Sequence, residues 1–135
     1  MLEHQTTVRV RYAETDQMGY TYHGVYVQYY EIGRVEALRH LGLSYKDMEE
    51  THGVMMPVVS LSQRFVRPAL YDELLTIKTQ LRKLPDRFIT FHFEIFNEAG
   101  KLANAGTVRL CFLDAKTRKS VQVPGYLLER IEEGF

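Results

Sequence analysis

Gly24-Val-Tyr26-Val-Gln-Tyr29-Tyr30-Glu31-Ile-Gly33-Arg34-Val-Glu36-Ala37-Leu38-Arg39-His40-Leu41 reads as one long amphipathic helix. Tyr26, Tyr29, Tyr30, Gly33, Ala37, Leu38 and Leu41 follow helical spacing, while Arg34, Glu36 and Arg39 fall largely elsewhere on the wheel. Gly33 is the odd member of the apolar face. A glycine inside a helix costs about 1 kcal/mol relative to alanine. Its placement therefore predicts close approach to another backbone, such as a sheet wrapped around the helix. Gly42 is the expected stop.

Downstream, Ser44 and Asp47 resemble a capping box that opens a short helix to about residue 51, closed by Gly53. Pro57 introduces a strand to Val66, ended by Arg67-Pro68. Residues 73–84 alternate, with Leu75, Ile77, Thr79 and Leu81 on one face, and Pro85-Asp86 marks a turn. Residues 87–96 alternate again, setting Phe91, Phe93 and Ile95 opposite Thr90, His92 and Glu94. Asn97-Glu-Ala-Gly100 is a hairpin turn before a last long strand, 102–113. Pro124 can open a terminal helix, Gly125 to Glu132. Upstream, residues 4–13 read as a strand with Thr6, Val8, Val10 and Tyr12 on one face and Arg9 and Arg11 on the other. Short turns between strands imply antiparallel neighbours. One long helix against one antiparallel sheet is an α+β arrangement, and 135 residues suit a single domain, 1–135.

Apolar residues make up 45% and charged residues 25% of the chain, as in an ordinary globular protein. Lys+Arg and Asp+Glu each number 17. That balance argues against a nucleic-acid binder and leaves self-association open. Cys111 is the one cysteine, so no intramolecular disulfide forms; its apolar neighbours suggest a buried strand thiol. The N-terminus, Met1-Leu-Glu-His-Gln, has no signal-peptide core, and no apolar run approaches the roughly 20 residues of a membrane span. The expectation is a cytoplasmic protein without a membrane span.

The connection ahead of the long helix, Tyr12-Ala-Glu-Thr-Asp16-Gln-Met-Gly19-Tyr-Thr-Tyr22-His23, joins an acid, a glycine turn and a histidine. Such a connection can aim a carboxylate and a helix N-terminus at one carbonyl. Each residue also has a plainer use. Asp16 suits a turn or N-cap. His23 suits a hydrogen-bonded first-turn residue, and Tyr12 a core aromatic. Glu31 and Arg34 are spaced to pair on the helix. His4, His40, His52 and His92 lack metal-ligand spacing, so no metal is expected. No nucleophile elbow or P-loop occurs.

The pattern Asp16-x-x-Gly19-x-x-Tyr22-His23-x-x-Tyr26, followed by Glu31 and Arg34, resembles the hotdog-fold acyl-CoA thioesterases, in particular the 4-hydroxybenzoyl-CoA thioesterase / YbgC-like group. Phe65-Val-Arg67-Pro68 and Asp72-Glu-Leu-Leu-Thr76 extend the likeness over nearly the whole chain. The resemblance implies a five-stranded antiparallel sheet wrapped around a long central helix. It also implies thioester hydrolysis to a free acid and CoA, with no cofactor beyond the CoA of the substrate. Asp16 falls on the catalytic aspartate, as nucleophile or general base. His23 and Gly24 fall where backbone N–H groups face the thioester oxygen, and Tyr12 and the His23 side chain fall on active-site positions. Tyr22 and Tyr26 are placed to meet the acyl group. CoA phosphates call for a basic rim, for which Arg82, Lys83 and Arg87 around the Pro85-Asp86 turn are the first candidates and Arg64 and Arg67 the next. Homodimers or homotetramers with sites at the subunit interface are implied. Acyl carrier protein as the carrier, or a non-catalytic acyl-thioester-binding assembly subunit, are the alternatives. Gly24-Val25 and Tyr20-Thr21 depart from the family pattern beside the acyl site, where substrate choice is expected to lie.

Overall fold

The computed structural model describes all residues, 1–135. Its centre is helix α1 (Tyr26–His40), entered through a 3-10 turn at His23–Val25. Around it curls a five-stranded antiparallel sheet in the order β1-β4-β5-β6-β3. These strands are β1 (Leu2–Arg9), β3 (Val58–Phe65), β4 (Leu74–Leu81), β5 (Phe88–Phe96) and β6 (Leu102–Cys111). A short ladder of β2 (Val54–Met55) with β7 (Leu113–Asp114), helix α2 (Tyr45–Glu50) and helix α3 (Gly125–Gly134) complete the domain.

The period-two pattern does what the alternation implies. Leu75 and Ile77 of β4, Phe91, Phe93 and Ile95 of β5, and Val108 and Leu110 of β6 are all buried against the helix. Tyr29, Tyr30 and Leu38 meet them from α1, with Tyr30 stacked on Phe93 at 4.7 Å between ring centres. A β-carbon built on Gly33 would lie 2.5 Å from Thr79 Oγ1 and 2.8 Å from Ile77 Cγ2. The helix thus touches β4 through the missing side chain, the close approach that the glycine foretold. The helix stops in a Schellman turn: Gly42 adopts φ +79°, its N–H donates to Arg39 O at 2.9 Å, and Leu43 N–H donates to Leu38 O at 3.0 Å.

Several local expectations need correction. The first strand ends at Arg9, not 13, because Tyr12–Glu14 turns into a 3-10 helix that pulls Glu14 inward. Tyr12 is therefore 78% exposed rather than a core aromatic, and packs edge-on against Tyr71. Ser44 Oγ accepts from Asp47 N–H at 3.1 Å, but only this half of the capping box forms. Cys111 ends β6 half-buried rather than fully enclosed. Strand β3 is an edge whose apolar residues Val58, Val59, Leu61 and Phe65 stay exposed, since α1 leans over the β1 and β4 side of the sheet.

Candidate active site

Asp16 owes its position to a short loop laced at both ends. Its own N–H donates to Tyr20 O at 2.8 Å, and Gly19 N–H donates to Asp16 O at 3.0 Å, with Gly19 at φ +80° closing the turn. The carboxylate oxygen Oδ1 accepts from Met18 N–H at 2.9 Å and Tyr20 N–H at 3.2 Å. The turn role suggested by its sequence is real, and it leaves Oδ2 free of any partner in the chain. Thr21 N–H then donates to Ala69 O at 2.7 Å, tying the loop to the segment after β3.

One residue behind this arrangement carries no motif and escaped the sequence reading. Glu14 is 6% exposed and accepts from Arg11 N–H, from the Arg11 guanidinium and from the Tyr29 hydroxyl, each at 2.9 Å. Its backbone O accepts from Tyr22 N–H at 2.8 Å. Glu14 therefore latches both ends of the Asp16 loop to α1. Burial alone would raise its carboxyl, but the bonds from Arg11 and Tyr29 outweigh burial and hold it below the usual carboxylate range. Burial, then the Glu14 carboxylate, pushes the Tyr29 phenol up. The only signal in the sequence was an acid three residues after Arg11, which looks like any surface pair.

A sign follows for stability. A depressed carboxyl stabilises the fold above its unfolded value, near pH 4.3, and that contribution fades as pH falls through the lower folded value. Glu14→Gln removes it. We expect the variant to unfold at lower urea than wild type at pH 7, with the gap closing on acidification below about pH 4. Glu14→Ala, which strands the Tyr29 hydroxyl, should cost about 1–3 kcal/mol at neutral pH. Equal urea midpoints at pH 7 would refute the latch.

Asp16 and His23 line one cleft of about 320 Å³ with Met18, Tyr20, Thr21 and Tyr26 on one side and Phe65 to Pro68 on the other. Tyr26 is buried and meets Phe65 edge-on at 5.7 Å between ring centres. Burial raises its phenol, so it stays protonated. The His23 ring is exposed and leans on Tyr22 at 4.2 Å. No acceptor in the chain meets the N–H of His23 or of Gly24, so the first N–H groups ahead of α1 are free to bind. A β-carbon at position 24 would press on the Tyr22 ring at 2.9 Å. Tyr20 and Thr21, where the chain departs from the pattern quoted above, both face the cleft.

The structure brings together Asp16, His23 and Tyr26, with Gly24 next in the chain. Tyr12 and Tyr22 lie outside the cleft lining. Arg82, Lys83 and Arg87 follow the far end of β4, at the Leu2↔Leu81 pairing, whereas the Asp16 loop leaves β1 at the Arg9↔Leu74 pairing. Eight residues of β4 at roughly 3.3 Å each separate the two ends. Within one chain the arginine on the cleft wall is instead Arg67, whose guanidinium donates to Leu102 O at 2.9 Å. No three His, Cys, Asp or Glu side chains are grouped to hold a metal, and no helix is long and apolar enough to cross a membrane.

Comparison with known proteins extends this geometry. The family model described as the thioesterase-like superfamily matches residues 10–131. The chain is 35% identical over 115 residues to YneP of Bacillus subtilis, a proposed acyl-CoA thioesterase, covering 85% of this chain and 83% of YneP. It is 29% identical over 126 residues to the acyl-CoA thioester hydrolase YbgC of Escherichia coli, covering 93% of each. The crystal structure of a DHNA-CoA thioesterase from Staphylococcus aureus superposes with a TM-score of 0.90 at 35% identity, over 98% of this chain and 88% of that one. The expected architecture, a sheet wrapped on a central helix in the hotdog manner, is what these neighbours share.

Proposed function

The chain belongs to the thioesterase-like superfamily, a family of thioester hydrolases, and from that premise we propose that it cleaves acyl-CoA at the Asp16 cleft. The observation that carries this is the meeting, in one apolar cleft, of a carboxylate held by two backbone amides and a helix start with unused N–H groups. The thioester carbonyl oxygen would sit against the N–H groups of His23 and Gly24. There the partial positive charge of the α1 N-terminus stabilises the developing oxyanion. The His23 side chain, exposed and stacked on Tyr22, is secondary to its N–H in this reading.

Asp16 has two routes open to it. As a general base it takes a proton from water, whose oxygen adds to the carbonyl carbon; the tetrahedral intermediate then expels CoA as the thiolate, which recovers a proton. As a nucleophile its carboxylate displaces the thiolate to form a mixed anhydride, and water then releases the acid and regenerates Asp16. Neither route calls on a metal or a cofactor beyond the CoA of the substrate.

CoA is favoured over acyl carrier protein because the relatives named above act on, or are proposed to act on, CoA thioesters. The test is thiol release from a panel of aromatic and aliphatic acyl-CoAs, with the same acyl group offered on acyl carrier protein. Turnover of at least one CoA ester, faster than its carrier-protein counterpart, is expected. Tight binding without turnover across the panel would instead leave a non-catalytic acyl-thioester binder. The exposed apolar edge of β3 runs up to Phe65 on the cleft wall, so a second copy of this chain is the natural cover for both. The active preparation should therefore sediment above the 15.8 kDa of one chain; a monomer at working concentration would rule that out.

A further inference from the structure

Neither Glu14 nor Tyr29 lines the Asp16 cleft, yet their bond ties its two working parts together. Asp16 follows Glu14 by two residues. The free N–H groups of His23 and Gly24 lie between two fastened residues: Tyr22 N–H donates to Glu14 O at 2.8 Å, and Val25 N–H donates to Tyr22 O at 2.9 Å. The Glu14 side chain makes the third tie. Its Oε1 accepts from the hydroxyl of Tyr29, the fourth residue of α1, at 2.9 Å. One residue thus connects the carboxylate loop, the helix entry and the helix itself.

The third tie is of the strong kind. A phenol donating to a carboxylate away from water makes a charge-assisted bond, about twice as strong as a neutral one. Arg11 holds the same carboxylate from the solvent side, its N–H donating to Oε1 and its guanidinium to Oε2. Arg11 alone would neutralise the acid. The bond to Tyr29 adds direction, because it fixes how far α1 stands from the loop. Tyr29 is fully buried, and its ring meets the cleft residue Tyr26 edge-on at 6.0 Å.

We infer that Glu14 and Tyr29 are positioning residues for thioester hydrolysis: their bond sets the separation between the Asp16 carboxylate and the N–H groups of His23 and Gly24. The inference rests on the reading of Asp16 given above and extends it to residues that never meet the substrate. Hydrolysis needs the carbonyl carbon within reach of Asp16, or of its water, while the carbonyl oxygen stays on the helix start. A misplacement of about 1 Å between such groups costs on the order of 10²-fold in rate. With the tie cut, acyl-CoA still meets an intact cleft lining, so the loss falls on kcat.

Tyr29→Phe is the decisive variant, since it keeps the ring against Tyr26 and the Arg11 bonds to Glu14 and removes one hydroxyl. Its kcat on the best acyl-CoA should fall about tenfold or more, with KM within about twofold of wild type. Glu14→Gln, which keeps an oxygen to accept from Tyr29, should retain more activity than Glu14→Ala, and it serves as the readout should Glu14→Ala fold poorly. Tyr29→Phe and Glu14→Ala should combine less than additively in kcat, because both cut the same bond. Leu127→Ala opens a cavity under α3, outside the cleft, and should keep wild-type kcat while folded. If Tyr29→Phe keeps wild-type kcat, or loses only what Leu127→Ala loses, the bond is structural and the inference falls. Amide hydrogen exchange separates this failure from that of Asp16, because it needs no substrate. In Tyr29→Phe the Met18 and Tyr20 N–H groups, which donate to Asp16 Oδ1, should exchange at least about tenfold faster, beyond any change in the β4–β5 ladder. Faster exchange in a protein whose wild type hydrolyses no acyl-CoA would keep the positioning and strike the thioesterase reading. Unaltered exchange and kcat in an active enzyme would strike the positioning alone.

Discussion

Asp16→Asn is expected to lower kcat on the best acyl-CoA by ~10²- to 10⁴-fold with little change in KM, the range of a positioned acid–base group. The substitution suits this site because Asp16 has two functions that the two oxygens divide. Oδ1 accepts from Met18 and Tyr20 N–H and so shapes the loop. An asparagine keeps an oxygen for that duty. What it loses is the charge and basicity of the second oxygen, which lies on a cleft wall without a partner. If Asp16 were only a turn residue, Asn would be almost silent, since Asn is as good a turn former as Asp. Asp16→Ala removes both functions and should lose at least as much activity plus some stability. An Asn variant with unaltered urea midpoint and wild-type kcat would remove Asp16 from the chemistry, while leaving the fold and the family untouched.

The divided roles of Asp16 also show what can be read from residues alone. Gly33 was informative because a glycine in mid-helix is locally unfavourable, so something outside the helix had to explain it, and β4 does. The alternation in β4 and β5 was legible because a period of two survives any tertiary context that buries one face. Glu14 was invisible for the opposite reason. Its carboxylate is built from contacts with Arg11 and with Tyr29, the latter fifteen residues on, and a polar residue leaves no periodic trace when it turns inward. Tyr12 misled in the same place: the alternating pattern of β1 ran on through it, but the chain had already turned to bring Glu14 inside. Arg82 and Lys83 line one groove, whereas Arg87, grouped with them in the sequence, turns to Ser120. Their distance from Asp16 depends on which end of β4 pairs with which end of β1, a matter of register that composition does not reveal.

Gly33→Ala should destabilise the protein by up to about 2 kcal/mol, against the direction that helix propensity alone gives. Propensity favours the alanine by about 1 kcal/mol. Against it stands a new β-carbon at 2.5 Å from Thr79 Oγ1, 2.8 Å from Ile77 Cγ2 and 3.3 Å from Phe93 Cε1. Thr79 and Ile77 are β-branched, stiff at χ1 and buried within β4, so neither can swing aside. The helix must lift from the sheet, and overpacking of a tight core costs typically 1–3 kcal/mol or more, which exceeds the propensity gain. Urea unfolding should show a lower midpoint with an unchanged slope, since the folded state is strained but no less compact. Gly33→Val, with two further methyls, should be worse. The Thr79 hydroxyl supplies an internal check, because it is buried and makes no hydrogen bond. Thr79→Ala alone should cost little, and in the double variant it should recover part of the Gly33→Ala loss. A non-additive cycle of that sign locates the strain at this one contact. Additive effects, or a stabilised Gly33→Ala, would mean that α1 does not rest on β4 through position 33.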